Sequence, residues 1–194
     1  MKKITFLITV YNEHLTVNDA IQEILSLKYE NIEVIIIDNA STDGSQEIIK
    51  QFKNIKLVLR KKNLGYGSTV MEGLNLATGD YLYVHNSDLE YDPLNAIEML
   101  MLAERENLDV VFGSRLNNRY ELIKNLKSNP AFLATYVTTF LINVLYKKKF
   151  TDIIGSKLYK TDKIKKVKAD FLHEGFDFGF VSRLCKEKYN IGEI

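Results

Sequence analysis

The chain has 194 residues, 46% of them hydrophobic, which suffices for one sizeable core and leaves little room for a second full domain. Its 26 basic and 25 acidic side chains give a formal net charge of +1, so no overall basic field indicates a nucleic-acid partner. The single cysteine excludes an internal disulfide and any zinc site built from several cysteines.

The N-terminus is predicted to enter the fold directly. Residues 4–10 form a short apolar run that breaks at Tyr11. A secretory signal needs a longer apolar region and a small-residue cleavage site, so we expect this run to be the first strand of a cytosolic domain. Residues 131–146 are the longest stretch without a charge, and they fall short of the roughly 20 apolar residues of a membrane span.

Strand and helix patterns alternate through the first 115 residues. Runs rich in β-branched residues predict strands over residues 4–10, 33–37, 56–59, 81–84 and 109–115. Between these strands, apolar side chains recur at helical spacing and predict four helices. They cover residues 16–27, a segment that ends near residue 52, residues 70–77 and residues 93–106. This alternation is typical of an α/β fold with a mainly parallel sheet flanked by helices.

The pattern changes after residue 115. Residues 116–130 are polar and rich in asparagine, which predicts a long loop. The segments that follow are an apolar helix over 131–146, a stretch over 151–159, a short basic helix near 161–167, a helix near 174–188 and the start of a strand at 191–194. No interdomain linker is visible, so we expect residues 1–194 to form a single domain with two parts, 1–115 and 116–194.

The helix over 131–146 has two interpretations. As a core helix it would turn Thr135, Thr139 and Asn143 outward as a polar edge, and the lysines that follow would be a solvated end. As a helix on a membrane surface it would lie beside anionic lipid, with Lys147–Lys149 and the lysines of residues 163–168 adding attraction. The sequence favours the core interpretation.

The fourth predicted strand ends in an acidic loop that contains Asp88 and Glu90. An α/β sheet binds its ligand where the carboxyl ends of parallel strands meet. Side chains two residues apart in extended backbone point to the same side, so we expect these two carboxylates to share a face. Oxygen ligands arranged in this way suit a hard divalent cation that bridges to phosphate. The alternative is a solvated turn before a helix that opens at Pro93.

The loops after the first three strands reach the same edge of the sheet. Asp38 directly ends the second strand, where its carboxylate can accept from a base N–H or a ribose hydroxyl. Glu13 and Asp38 could each be only a helix cap, and the glycines of Asn63–Gly67 could serve only a tight turn. Four polar loops at one edge together predict a site for a nucleotide and its phosphates.

Several motifs follow one another along the chain. In order they are Val10–Glu13, Ile37–Ser45, Asn63–Gly67, Asn86–Glu90 with Pro93, Val111–Arg115, Thr139 with Asn143, and Asp152 with Gly155 and Tyr159. Taken together they resemble the family 2 glycosyltransferases, which have the Rossmann-like GT-A fold. Within that family the chain is similar to the dolichyl-phosphate mannosyltransferases and bactoprenyl-phosphate glucosyltransferases.

The resemblance implies a metal-dependent, inverting glycosyltransferase that moves a hexose from a UDP- or GDP-sugar. Residues 1–115 would hold the nucleotide sugar, and residues 116–194 would lie on the acceptor side. The implied nucleotide-sugar-binding residues are Tyr11, Glu13, Asp38, Asn39, Gly65 and Asn86. The implied ligands of Mg²⁺ or Mn²⁺ are Asn86, Asp88 and Glu90. The implied catalytic residues are Asp88 and Arg115, and the implied acceptor-side residues are Asp152, Lys157 and Asp177.

The expected acceptor is polyprenyl phosphate, which is already anionic and needs no strong protein base. The enzyme would then be cytoplasmic and peripheral at the inner face of the cell membrane. A saccharide or wall-polymer acceptor is the alternative, and it needs a carboxylate base, for which Asp177 and Glu174 are the candidates. A catalytically weak nucleotide-sugar-binding module is a third hypothesis, because Asn86 stands where the family usually has Asp.

Overall fold

The computed structural model describes residues 1–115, 130–169 and 175–194. Its strands are β1 Ile4–Val10, β2 Ile32–Asp38, β3 Lys56–Leu59, β4 Tyr81–Asn86, β5 Val110–Gly113, β6 Ser156–Lys160 and β7 Ile191–Glu193. Its helices are α1 Val17–Leu25, α2 Ser45–Ile49, α3 Tyr66–Leu76, α4 Asn95–Glu106, α5 Pro130–Tyr146, α6 Thr161–Ile164 and α7 Phe176–Lys186. The predicted loop over 116–129 and the candidate base Glu174 lie outside these ranges.

The seven strands form one sheet in the order β3-β2-β1-β4-β6-β5-β7. Every pairing is parallel except those of β6, which runs antiparallel to both β4 and β5. The prediction of a mainly parallel sheet flanked by helices is confirmed. The sequence did not identify β6 as a strand, because four of its five residues are buried and these include Ser156 and Lys157, so neither alternation nor apolarity marks it.

Apolar side chains alternate between the two faces of the sheet, and each face has its own core. Leu7 and Ile35 point to the face covered by α3, α5 and α7. Phe6 and Ile36 point to the face covered by α1, α2 and α4. Because both faces are covered in this way, the open part of the sheet is the edge where the parallel strands end, and the loops that carry the predicted site residues lie there.

Helix α5 contradicts the core interpretation of residues 131–146. Its predicted polar edge faces the protein, since Thr135 and Thr139 are buried. Asn143 Nδ2 donates to the Phe150 carbonyl oxygen at 2.8 Å, and the Phe150 N–H donates to Asn143 Oδ1 at 2.9 Å. These contacts hold the segment before β6, and they require the polar side of the helix to be the inner one. Among the described residues, no helix is long and apolar enough to cross a membrane.

Candidate functional site

A cavity of about 810 Å³ opens at the carboxyl ends of β1 and β4, between the first turns of α3 and α7. The described residues that line it are Thr9, Val10, Tyr11, Glu13, Asn39, Asn63, Gly65, Tyr66, Thr69, Asn86, Ser87, Asp88, Gly175, Phe176 and Asp177. They include every predicted nucleotide-sugar-binding residue except Asp38. Loops that are far apart in the sequence therefore meet at one site, as the alternating pattern predicted.

The end of β4 is tied to β1 by side-chain hydrogen bonds. Thr9 Oγ1 donates to Asn86 Oδ1 at 3.1 Å, and Ser87 Oγ donates to the Thr9 carbonyl oxygen at 2.9 Å. Asp88 follows in an exposed position, where its Oδ1 accepts from the Glu90 N–H at 3.1 Å. Amide and carboxylate oxygens can each accept more than one hydrogen bond, so Asn86 and Asp88 keep acceptor capacity at the cavity.

The expectation that Asp88 and Glu90 share a face is wrong. Leu89 between them has a φ of +61°, so the backbone turns here instead of staying extended. Glu90 lines a second cavity of about 360 Å³ together with Arg115, whose Nη1 donates to Glu90 Oε2 at 3.3 Å. The role of Glu90 as a metal ligand stays a prediction, without the geometry that motivated it.

Arg115 and Asp152 form an ion pair behind that second cavity. Arg115 Nε donates to Asp152 Oδ2 at 2.8 Å, and Asp152 Oδ1 accepts from the N–H groups of Ile154 and Gly155. Burial opposes both charges, but the hydrogen bond between them raises the pKa of Arg115 and lowers the pKa of Asp152. Both groups are therefore ionised. Asp152 is fully buried and fixes the loop before β6, and its acceptor-side role and the catalytic role of Arg115 stay predictions.

Asp38 lies beneath the loop that follows β2 and is fully buried. Its Oδ1 accepts from the N–H groups of Ala40 and Ser41 at 3.1 and 3.0 Å, and from Gln46 Nε2 at 2.6 Å. Its Oδ2 has no hydrogen-bond partner in the described part of the chain. Asp38 thus shapes the loop that presents Asn39, and a direct contact between Asp38 and a nucleotide stays a prediction.

Arg60 is a site residue that the sequence analysis missed. Its side chain is 7% exposed and donates to Asn39 Oδ1 at 3.0 Å, to Thr69 Oγ1 at 3.0 Å and to Glu72 Oε2 at 2.5 Å. Because Asn39 and Thr69 line the cavity, Arg60 supports two of its walls from behind. One feature of the sequence could have identified Arg60 as a site residue. It directly follows β3, at the sheet edge where Asp38 ends β2.

The first turn of α3 approaches that of α7 closely. Gly65 begins α3 with a φ of +85°, which glycine adopts without steric cost, and its N–H donates to Asn63 Oδ1 at 2.8 Å. A Cβ on Gly67 would lie 2.3 Å from the Phe176 ring of α7. Two helix N-termini therefore meet at the cavity, and free N–H groups at such ends bind anions such as phosphate.

Tyr11 and Glu13 form the lip of the cavity after β1. Tyr11 is 49% exposed, so its ring is open to a ligand. The Glu13 carboxylate accepts from Thr16 Oγ1 at 3.2 Å, and the Glu13 N–H donates to Ser45 Oγ at 2.9 Å. The second contact joins the loops after β1 and β2 into one wall.

The predicted acceptor-side residues Lys157 and Asp177 are brought together. Lys157 Nζ lies 2.8 Å from Asp177 Oδ1, as an ion pair whose angles are not those of a hydrogen bond. The same ammonium donates to the carbonyl oxygens of Ile154 and Gly155 at 3.2 and 2.9 Å. Lys157 is buried, whereas Asp177 lies in the first turn of α7 and lines the cavity together with Glu13 and Asp88. This pairing places a further carboxylate at the site.

The cavity is acidic. Its charged side chains are Glu13, Asp88 and Asp177, and the described lining residues include no lysine, arginine or histidine. No group of three or more His, Cys, Asp and Glu side chains in residues 1–115, 130–169 and 175–194 could hold a metal ion. Mg²⁺ commonly uses only one or two carboxylates plus substrate phosphates and water, and Asp88 with Asn86 fits that pattern.

His85 lies on β4 next to the site but does not line the cavity. It is fully buried, and both ring nitrogens lack a hydrogen-bond partner among the described residues. Burial lowers the pKa of His85 to about 4, against the opposing influence of Asp88 and Asp92. The imidazole is therefore neutral at physiological pH.

Sequence and structure comparisons relate the chain to known proteins. A sequence model of the family described as "Glycosyl transferase family 2" matches residues 5–168. The chain is 32% identical over 132 residues to poly-beta-1,6-N-acetyl-D-glucosamine synthase of Staphylococcus epidermidis, a match that covers 64% of this chain and 32% of the synthase. The chain thus spans about a third of the length of that relative.

Two solved structures share the fold. Glucosyl-3-phosphoglycerate synthase from Mycobacterium tuberculosis, in complex with Mn²⁺, UDP and phosphoglyceric acid, superposes with a TM-score of 0.73 at 17% identity, over 99% of this chain and 68% of that one. The mannosyltransferase PcManGT from Pyrobaculum calidifontis, in complex with GDP-Man and Mn²⁺, gives a TM-score of 0.70 at 15% identity, over 100% of this chain and 55% of that one. At these identities the likeness shows the fold alone.

Proposed function

The chain belongs to glycosyl transferase family 2 and has the GT-A fold, and from this premise we propose that it transfers a hexose from a nucleoside-diphosphate sugar to a saccharide hydroxyl. One observation carries the proposal. Besides Glu13, the cavity at the ends of β1 and β4 holds one carboxylate after β4, Asp88, and one in the first turn of α7, Asp177, beside two helix N-termini. The metal ion that binds the donor needs a carboxylate ligand, and a hydroxyl acceptor needs a carboxylate as its general base.

The donor is proposed to occupy the part of the cavity formed by β1, β2 and α3. Tyr11 offers an exposed ring on which a base can stack, and Asn39 and Glu13 offer polar groups for the base or ribose. The N-terminus of α3 at Gly65 offers N–H groups to phosphate. The solved neighbours in complex with UDP or GDP-Man support a nucleotide donor without choosing between UDP and GDP.

Mg²⁺ or Mn²⁺ fits the other side of the donor site. Asp88 supplies a carboxylate with unused acceptor capacity, and Asn86 supplies an amide oxygen held in place by Thr9. When bound, such an ion supplies positive charge that neutralises a departing diphosphate. Both solved neighbours contain Mn²⁺, which supports a metal site in this chain as well.

Asp177 is proposed as the general base for the acceptor. It would take the proton from a saccharide hydroxyl as the hydroxyl oxygen bonds to the anomeric carbon and the bond from that carbon to the diphosphate breaks. A single displacement of this kind inverts the anomeric centre. Lys157 Nζ lies 2.8 Å from Asp177 Oδ1 and holds this carboxylate in place at the cavity. The curated relative, a polysaccharide synthase by name, supports a saccharide acceptor.

Polyprenyl phosphate is the second candidate acceptor. The exposed apolar side of α5 supports it, because such an acceptor lies in a membrane. Against it stands the charge of the cavity, since an anionic phosphate beside Asp88 and Asp177 would find no basic side chain among the described lining residues. The geometry therefore supports a hydroxyl acceptor better.

The test is a transfer assay with a panel of radiolabelled UDP- and GDP-sugars and Mn²⁺, followed by partition of the product between water and organic solvent. We expect label in a saccharide product, and label extracted into lipid would favour polyprenyl phosphate instead. Asp88→Asn should lower transfer by a factor on the order of 10³. The exposed Asp92→Asn, whose side chain accepts from the Leu94 N–H, is the matched control and should retain transfer.

A second comparison tests the base. Asp177→Asn should lower transfer to a hydroxyl acceptor by on the order of 10²- to 10⁴-fold and leave the thermal shift caused by UDP and Mn²⁺ unchanged. The thermal shift also shows that the variant folds with Lys157 unpaired. Full transfer by Asp177→Asn would overturn the base assignment. Nucleotide binding without turnover across all donors and acceptors would identify a binding module.

A further inference from the structure

Helix α5 exposes a continuous apolar face. Seven of its residues, at the spacing of one helix face, are between 42% and 63% exposed: Leu133, Tyr136, Val137, Phe140, Leu141, Val144 and Leu145. We call these seven residues the outer face of α5. A water-soluble surface helix normally turns its apolar face inward and its polar face outward, and α5 does the reverse.

The orientation of α5 is fixed by contacts on its inner side. Thr139 Oγ1 accepts from the Ile153 N–H at 3.3 Å, and Asn143 makes two hydrogen bonds with the backbone of Phe150. Tyr146 and Ser182 of α7 share a hydrogen bond between their hydroxyl groups at 2.5 Å. Rotating the outer face inward would leave these buried polar groups without partners. The exposed apolar face is therefore built into the fold.

The charged residues of α5 and of the segment that directly follows it are of one sign. Residues 130–151 contain no acidic side chain, and Lys147–Lys149 follow directly at the carboxyl end of the helix, with Lys147 and Lys149 exposed. A second copy packed on this face would bring the same lysines and no acidic residue from α5. An anionic lipid surface offers both an apolar layer and negative headgroups.

We infer that the outer face of α5 docks this protein onto an anionic phospholipid bilayer. The helix would lie in the plane of the interface, with its apolar side chains among the acyl chains and Lys147 and Lys149 at the headgroups. Lys165 does not join this contact as the sequence suggested, because its Nζ donates to the Ala77 carbonyl oxygen, beside the loop that leads into β4. The inference is independent of the proposed transfer reaction, since docking needs neither donor nor acceptor.

Flotation of the full chain with vesicles tests the inference. We expect binding to phosphatidylcholine vesicles that contain phosphatidylglycerol, and weaker binding to phosphatidylcholine alone. Phe140→Ser with Val144→Ser should weaken binding by on the order of 100-fold, because two large apolar side chains no longer enter the lipid. Lys147→Gln with Lys149→Gln should weaken it by on the order of 20-fold, and by less at high salt.

The matched control carries equal changes on another exposed apolar surface. Met101 and Leu94 are 67% and 52% exposed on the α4 side, so Met101→Ser with Leu94→Ser should leave vesicle binding unchanged. Circular dichroism melting shows that each variant folds. Equal vesicle binding by all variants, or none by the parent, would overturn the inference. A parent dimer that Phe140→Ser with Val144→Ser converts to monomer, without vesicle binding, would identify a protein interface instead.

Discussion

The cavity and helix α5 use their polar side chains for different purposes. At the cavity, Asn86 and Asp88 keep acceptor capacity that faces an open space. In α5, Thr139 and Asn143 are turned inward and spend their hydrogen bonds on the backbone of residues 150–153. The first arrangement leaves chemistry available for a ligand, whereas the second uses it to hold the fold.

The difference shows that the polarity of a helix face does not by itself decide which face is buried. A buried polar group costs little once it is hydrogen-bonded, whereas an unpaired one costs about 1–3 kcal/mol. The backbone of Phe150 and Ile153 needs partners, and α5 supplies them from its polar side. The apolar side is then left outside, where it can stabilise the protein only by meeting another apolar surface.

On the cavity side of this comparison, replacing Arg60 should have the largest effect on stability. Arg60→Met removes the partner of Glu72 and the donor to Asn39 and Thr69, so we expect a loss of about 3 kcal/mol in the free energy of unfolding. Urea unfolding measures it. The matched control is Arg105→Met, because Arg105 is 71% exposed and contacts only its neighbour Glu106 among the described residues, and it should change stability by less than about 0.5 kcal/mol. Equal effects of the two substitutions would refute the supporting role of Arg60.

His85 predicts a pH dependence that comes from the cavity side alone. The pKa of His85 is about 4 in the native state, below the ordinary value of 6.5. As the pH falls below 6.5, the imidazole is therefore protonated in the unfolded chain but stays neutral in the native state. Stability is therefore fully present above pH 6.5 and is lost toward pH 4. Between pH 6.5 and 5 the loss should be about 2 kcal/mol, before most carboxyl groups titrate.

His85→Leu tests this cause, since it removes the imidazole from a buried position where neither ring nitrogen has a hydrogen-bond partner in the part of the chain that the structure describes. Urea unfolding at pH 6.5 and pH 5 should then give nearly equal free energies for the variant. A slope as steep as that of the parent would assign the pH dependence to other groups.

Substitutions on the two sides of α5 should have the smallest effects on stability, and they test the orientation of this helix directly. Asn143→Ala leaves the N–H and carbonyl oxygen of Phe150 without their side-chain partner, and we expect it to cost about 1–2 kcal/mol of unfolding free energy. Val144→Ser, on the next residue and 61% exposed, should change stability by less than about 0.5 kcal/mol. If Val144→Ser destabilised the isolated chain more than Asn143→Ala, the orientation of α5 would be wrong.

Much of the first half of the fold was predictable from the sequence. Strands β1 and β3 have the predicted bounds. For β1 the reason is that a strand covered on both faces needs an unbroken run of apolar residues. The chain order of the loops also predicted that Glu13, Asn39, Gly65 and Asn86 would meet, since parallel strands bring their carboxyl ends to one edge.

The same reasoning failed where backbone detail or distant partners decide. Asp88 and Glu90 separate because Leu89 adopts a left-handed φ, which its residue type does not predict. Arg60 enters the site through contacts with residues 8 to 21 positions away, and no local pattern marks them. Strand β6 was missed because its buried Lys157 finds its counter-charge in Asp177, on a different element.

By itself the sequence determined the alternation of strands and helices, the edge at which the site forms and most of the side chains that line it, because these follow from local apolar periodicity and chain direction. Only the tertiary structure decided which face of α5 is covered, that β6 runs against its neighbours and that Asp177 joins Asp88 at one cavity. Those outcomes depend on which buried polar groups find partners far along the chain, and pairing of that kind leaves no periodic trace in the sequence.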